Sequence, residues 1–248
     1  MTAGQAAGKA RAGRFGARTL LGGLALLLVA VPFGLLLLLV QDRWRPLLLL
    51  DDGARDGLHG IALSAPWLVL AMKAVSIVGT FAVYAVAFAV LAVWLVRRGL
   101  RRLALFVVVT VAGGSLLNMA VKTVVDRSRP VLPDPVAHAS YSSFPSGHAQ
   151  GAVVACGVLL LVLLPAVPAD RRRLAVAAAV GWVLLVGFSR VVLGVHYVSD
   201  VVGGYLLGLA WLAVCAATFG AWRQERGRPG VPPAQGLEPE AGPRLRLR

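Results

Sequence analysis

Six stretches of this chain run for 16 to 23 residues without a charged side chain: 20–40, 74–96, 103–121, 149–169, 174–189 and 201–222. A helix needs ~20 residues, within ~17–25, to cross the hydrocarbon core of a bilayer, so five of the six qualify as they stand. The run 174–189 reaches that length only if it continues to Val195 and takes Arg190 inside it. A charge within a span is by default a functional residue. Lipid leaves no backbone polar group satisfied from outside, and this confines such a chain to helix. The expectation is an all-α, integral membrane bundle of six helices over 19–222, between flexible ends at 1–18 and 223–248 that are rich in Gly, Pro, Arg and Ala.

Composition agrees and removes other classes. Only 15% of the residues are charged, against ~25% in a soluble domain. The net charge of +14 would ordinarily raise nucleic acid as a partner, but the basic residues lie between the apolar runs, where they orient the protein instead. Cys156 and Cys215 both fall inside runs, so no disulfide framework or cysteine metal site is expected. The first run follows Lys9, Arg11, Arg14 and Arg18 like a signal peptide. It exceeds a ~7–15-residue signal core and has no small-residue cleavage site after it, which makes it a retained anchor.

Counting Lys and Arg between the runs orients the bundle. The first arm, the loop 97–102, the loop 171–173 and the tail carry 17 basic residues; the other three connections carry seven. The positive-inside rule places both termini in the cytoplasm. Seven of the eleven acidic residues (Asp42, Asp51, Asp52, Asp56, Asp126, Asp134 and Asp200) fall on the opposite side. Residues 51–73 are too polar to span and too apolar for a plain loop, and they read as an interfacial segment. Only three of the 25 basic residues are lysine, a bias that, with the excess of Ala, Gly and Val, suggests a GC-rich bacterial genome and hence a multi-pass protein of the inner, plasma membrane.

Polar residues cluster in three places: Lys122 to Pro130, Pro145 to His148, and Ser189 to Asp200. The chain crosses the bilayer twice between the second and the third, so all three meet on the outer face. Lys122, Arg129 and Arg190 are cations suited to a phosphate dianion. Ser146, Gly147 and His148 open a helix, where free N–H groups favour an anion. No carboxylate cluster is present of the kind that magnesium or calcium needs. His196 and Asp200, spaced i, i+4, share a helix face, so the carboxylate can fix the imidazole tautomer and leave the other nitrogen as a nucleophile. His148 remains for proton transfer. Asp200 favours charged His196, so nearby cations must offset it, and Arg190 is the candidate.

The order K-x6-R-P, P-S-G-H and S-R-x5-H-x3-D closely resembles the type 2 phosphatidic acid phosphatase superfamily, which includes lipid phosphate phosphatases and undecaprenyl pyrophosphate phosphatases. The match runs from Lys122 to Asp200 with no departure at any motif position. The resemblance implies that His196 attacks phosphorus and forms a phosphohistidine while Asp200 orients it. His148 would protonate the leaving oxygen and then activate water. Lys122, Arg129, Ser146, the Gly147 amide and Arg190 would hold the phosphoryl oxygens, with no cofactor or metal. The substrate is then a lipid phosphate or polyprenyl pyrophosphate, hydrolysed at the outer face; a phosphotransferase on the same scaffold is the alternative, and a transporter or channel a distant one.

Other residues receive plainer assignments. His59 and His138 read as loop residues, and Asp126 and Arg127 as partners of their neighbours. Ser189 reads as a support for Arg190. Gly204 and Gly208 form a G-x-x-x-G that serves a homodimer face or, the reading preferred here, packing within the bundle.

Overall fold

Apolar runs become helices, and charge, proline or glycine marks where they stop. The computed structural model describes residue 23 and residues 27–246; the basic arm and the start of the first run lie outside them. Among the described residues all regular structure is helical. The helices are α1 (Leu27–Gln41), α2 (Arg45–Ser64), α3 (Pro66–Val78), α4 (Phe81–Arg97), α5 (Arg101–Val125), α6 (Gly147–Leu163), α7 (Arg172–Val192), α8 (Val198–Glu225) and the short α9 (Gly242–Leu245).

Four helical stretches are long and apolar enough to cross a membrane unbroken: α5, α6 with its 3-10 extension, α7 with its 3-10 lead-in, and α8. The count reaches six if each of two bent pairs makes one span. In the first pair α2 turns 87° away from α1; in the second α4 turns 42° from α3. The segment 51–73, expected to be interfacial, divides between two helices. Pro66, which has no N–H to donate, opens a new helix, so residues 66–73 belong to α3 and the second bent pair. Only α2 keeps the transverse course, and it is less superficial than its charges suggest, because Asp51 and His59 are buried.

Helix α6 lies at the centre, packed against α5, α7 and α8. Its closest approach is to α8, and there the G-x-x-x-G acts. A methyl group at Gly204 would stand 2.5 Å from the Ser146 carbonyl oxygen, and one at Gly208 2.9 Å from Val153 Cβ. These glycines thus pack α8 against α6 within the bundle. Away from the site, Leu95, Phe106, Val107, Val158 and Val162 form a core with Phe219. Phe106 meets Phe219 edge to face at 5.2 Å. Leu70, Val86, Leu116 and Leu174 are about two-thirds exposed or more. Such a girdle of bare apolar side chains suits hydrocarbon.

The described part of the tail, expected to be flexible, packs on the bundle. After α8 the chain folds back, and the Leu237 N–H donates to the Leu161 carbonyl at 2.8 Å. Leu237, Ala241 and Leu245 enter the core cluster, and Glu238 pairs with Arg102 at 3.2 Å. Their i, i+4, i+8 spacing gives an apolar stripe that proline and glycine obscure in the composition. The tail thereby meets the α4–α5 loop at one end of the bundle, while the three polar clusters gather at the other.

Candidate active site

Helix α5 continues one turn past its charge-free run, through Lys122 to Val125. Asp126 caps it in a left-handed conformation, φ 43°, with its N–H on the Lys122 carbonyl. Lys122, in the last turn, donates through Nζ to the Ser142 carbonyl. The connection to α6 then loops out and returns, and Arg129 ties it down. Its Nε donates to Tyr141 O at 2.9 Å, Nη2 to Ser140 O at 2.9 Å, and Nη1 to Val195 O at 2.7 Å.

The same Nη1 lies 3.2 Å from His196 Nε2. An arginine only donates, so Nε2 is the acceptor and the imidazole proton sits on Nδ1. Nδ1 faces Asp200 Oδ2 at 3.3 Å. His196 lies before α8, so the pair does not share a helix face as expected; Asp200 meets the ring from the first turn of α8. His196 reaches this position because α7 stops at Val192 and Gly194, at φ 67°, turns the chain. A side chain at Gly194 would be strained by that φ and would also strike Leu132.

Asp200 is fully buried, and both of its oxygens are engaged. Oδ2 accepts the Tyr197 N–H at 2.9 Å besides facing His196. Oδ1 accepts from Arg127 at 2.7 Å and Ser143 at 3.5 Å. Arg127 was expected merely to pair with neighbours; it is instead the hub of the support. It also pairs with Asp51 of α2 at 2.9 Å, donates to Ser199 Oγ at 2.6 Å and stacks over Tyr197 with its guanidinium carbon 4.4 Å from the ring centroid. Asp51 in turn accepts the Ser199 N–H at 2.9 Å. One signal for Asp51 was available: it shares a face of α2 with Ala62, the buried side of that helix.

Arg190 ends α7, is 6% exposed and donates through Nη1 to Ser76 of α3. Its Nε has no hydrogen-bond partner among the described residues. Ser189, expected to support it, bonds the Val186 carbonyl instead. His148, in the first turn of α6, has Arg190, His196 and Arg129 as charged or chargeable neighbours. Ser146 is fully buried and caps α6, accepting the Ala149 N–H. Gly147 admits the side chain of Asn118, whose Oδ1 would stand 3.2 Å from a methyl group there. His59 lies buried in α2 with Nδ1 unpartnered among the described residues, and His138 is exposed; neither joins the cluster.

Charge is sorted sharply. Arg127 is neutralised by two carboxylates, whereas Lys122, Arg129 and Arg190 form no salt bridge among the described residues. Arg129 touches the free nitrogen of a neutral histidine, and Lys122 and Arg190 lie near Arg129, an arrangement suited to an anion. Burial, the largest influence, pushes His196 down to about 4; Asp200 opposes this, and Arg129 and then Arg190 add to it. The offset that sequence reasoning assigned to Arg190 thus comes first from burial and then from Arg129. Burial likewise lowers the Arg129 pKa, with Asp200 opposing.

Known proteins resemble this chain in the same region. Residues 102–224, about half of it, match the model of the PAP2 superfamily. Over 96 residues the chain is 41% identical to phosphatidylglycerophosphatase B of Bacillus subtilis (strain 168), covering 38% of this chain and 47% of that one. It is 38% identical over 82 residues to a lipid A 1-phosphatase of Rhizobium johnstonii, covering 32% of this chain and 29% of that protein. It is 31% identical over 139 residues to undecaprenyl-diphosphatase BcrC of Bacillus subtilis, covering 52% and 65% respectively. The chain thus spans about half, or less, of the length of the first two relatives. The crystal structure of a transmembrane PAP2-type phosphatidylglycerolphosphate phosphatase from Bacillus subtilis superposes with a TM-score of 0.68 at 27% identity, covering 76% of this chain and 94% of that one.

Proposed function

The chain belongs to the PAP2 superfamily, and on that premise we propose that it hydrolyses the terminal phosphate of a membrane lipid phosphate or polyprenyl diphosphate, without a metal, at the outer face of a bacterial plasma membrane. The observation that carries the reading is Arg129 against His196 Nε2, with Lys122 and Arg190 near Arg129 and none of the three in a salt bridge among the described residues.

In this reading the phosphoryl oxygens are held by Lys122, Arg129, Arg190 and the first turn of α6, with the Gly147 amide and the Ser146 hydroxyl contributing. Phosphate binding takes over the Arg129 N–H that now faces Nε2 and frees the lone pair. Nε2 attacks phosphorus in line, and His148 protonates the departing oxygen. Water activated by His148 then attacks the phosphohistidine, releasing phosphate and restoring His196. Asp200 keeps the tautomer and stabilises the charged imidazole, and Arg127 with Asp51 fixes Asp200. The cations supply the charge stabilisation that a metal supplies elsewhere. The outer location rests on the charge count, since the Arg97–Arg102 loop and the tail share the opposite, strongly basic end.

Release of inorganic phosphate from a lipid phosphate by the purified protein in detergent tests the activity. Turnover should survive EDTA and fall on addition of vanadate, which copies the five-coordinate phosphorus of the transition state. A strict magnesium requirement, or transfer to an alcohol acceptor without release, contradicts the proposal. For the face, Tyr141→Cys places a thiol at a position 91% exposed. A membrane-impermeant maleimide should label it in intact cells; labelling only after permeabilisation would put the site inside.

A further inference from the structure

A cavity of about 180 Å³ opens from His148 and Gly147 and runs between α4, α5 and α6. One water requires only ~10–15 Å³ measured in this way, so the cavity has room for a chemical group of some size. Phe81, Tyr84 and Phe88 form one wall, and Asn118 and Ser115 stand on another. Among the described residues that line it there is no Lys, Arg, Asp or Glu.

Two polar side chains of the lining are already occupied: Gln150 Nε2 donates to the Gly114 carbonyl at 2.8 Å, and the Tyr84 hydroxyl accepts from Trp182 at 3.1 Å. Asn118 is buried and is not. It is 7% exposed, and its Nδ2 has no partner among the described residues. Buried donors are almost always satisfied, so this one points to an acceptor that arrives with a ligand. Asn118 lies one helical turn from Lys122 on the same face of α5, ~6 Å along the axis. An oxygen a few bonds from a phosphorus held at Lys122 falls within its reach.

Resting on the function proposed above, we infer that this cavity receives the leaving group, and that its chemistry selects phosphate monoesters of a polyol-type lipid headgroup over lipid diphosphates. In-line displacement sends the leaving oxygen away from His196, and the acid that protonates it is His148, so the group departs along the surface that His148 lines. The His196 N–P bond forms as the P–O bond breaks, and the His148 proton passes to that oxygen. From a monoester the product is a neutral alcohol, whose neighbouring ester or hydroxyl oxygen accepts the Asn118 N–H. From a diphosphate the product is an anionic lipid phosphate, which would be left in a cavity lined by no cation.

The test uses the full chain in detergent with three substrates: a diacylglycerol phosphate, an unbranched alkyl phosphate with no second oxygen, and farnesyl diphosphate. The wild-type protein should show a kcat/KM at least tenfold higher for diacylglycerol phosphate than for the diphosphate. Asn118→Leu, similar in shape but without the donor, should lower kcat/KM for diacylglycerol phosphate by roughly tenfold to a hundredfold and leave the alkyl phosphate within about threefold. A preference for the diphosphate, or equal losses on both monoesters, overturns the inference while leaving the phosphatase reading intact. Absence of phosphate release from all three by the wild type overturns both. If Asn118→Leu does not fold, the wild-type preference decides by itself.

Discussion

At one end of the bundle Arg127 is shut between Asp51 and Asp200, with its side chain 11% exposed; at the other, Arg226 lies exposed over the Trp222 ring, 5.0 Å from its centroid. The residue type is the same, and the surroundings give it opposite work. Around the site, loops are joined by charged and polar bonds whose loss would strand a buried charge. Around the tail, Arg98 and Arg102 also cover tryptophan faces, and apolar contacts of Leu237, Ala241 and Leu245 hold the chain beside the Arg102–Glu238 and Arg223–Glu240 pairs. Counting arginines therefore orients a membrane protein but does not locate its chemistry. Burial and the identity of each partner do that.

The comparison is broken most severely by removing His196, the proposed nucleophile. His196→Ala should lower turnover by at least ~10⁴ and abolish any phosphoenzyme, read by phosphate release and by trapping of labelled protein. Activity retained in that variant, or a phosphoserine, would move the chemistry elsewhere. Arg127→Met comes next. It strands Asp51 and Asp200, and losing one partner of a buried pair destabilises by ~3–5 kcal/mol, read by thermal unfolding in detergent. Arg226→Ala at the opposite end should stay within ~0.5 kcal/mol. Similar losses in the two variants would erase the distinction between the ends.

Leu245→Ala separates stability from activity. It should cost ~2 kcal/mol, the low end for a buried leucine, because α9 is a single turn at the edge of the core; kcat/KM should remain within about twofold. A large fall in kcat/KM would tie the tail to the site.

The smallest effect is on pH. With its pKa pushed down to about 4, His196 is neutral and nucleophilic above that value and lost as an attacking group below it. The acid limb of kcat/KM should therefore lie near 4, not near the ordinary histidine value of ~6.5. Arg129→Gln removes a cation that lowers this pKa and should move the limb upward; Asp200→Asn removes the group that raises it and should move the limb downward. Shifts of the opposite sign would break this account. Stability follows the same sign. The folded state takes up this proton later than the unfolded state, so His196 contributes a loss of stability as pH falls from ~6.5 toward 4.

Much of this architecture is legible in the sequence, because lipid tolerates so few exceptions. Charge-free runs mark the helices, and two crossings between His148 and Arg190 bring the motifs to one end. His196 and Asp200 declare themselves by a local i, i+4 spacing. The unread parts depend on partners distant in the chain. Arg127 and Asp51 are 76 positions apart, and although helical spacing puts Asp51 on the face of Ala62, nothing local names Arg127 as its partner. The kink between α3 and α4 sits at Gly79 and Thr80, inside a run that contains no charge to announce it. Asn118 passes as one polar residue in an apolar helix until the cavity beside it is seen.

The contact of α6 with α8 sets a dimension as well as a packing arrangement. His148 rides on the first turn of one helix, and Asp200 on the first turn of the other, with His196 just before it. At Gly204 those helices touch backbone to backbone, against the Ser146 carbonyl that immediately precedes the His148 turn. The interval between the two imidazoles is consequently gauged by main-chain atoms, which cannot change rotamer, and not by side chains, which can. Tolerances in such a site are narrow, since a misplacement of ~1 Å can slow a reaction ~10²-fold. A single added methyl at Gly204 acts as a shim between His148 and His196, the proposed proton donor and nucleophile, without removing either side chain.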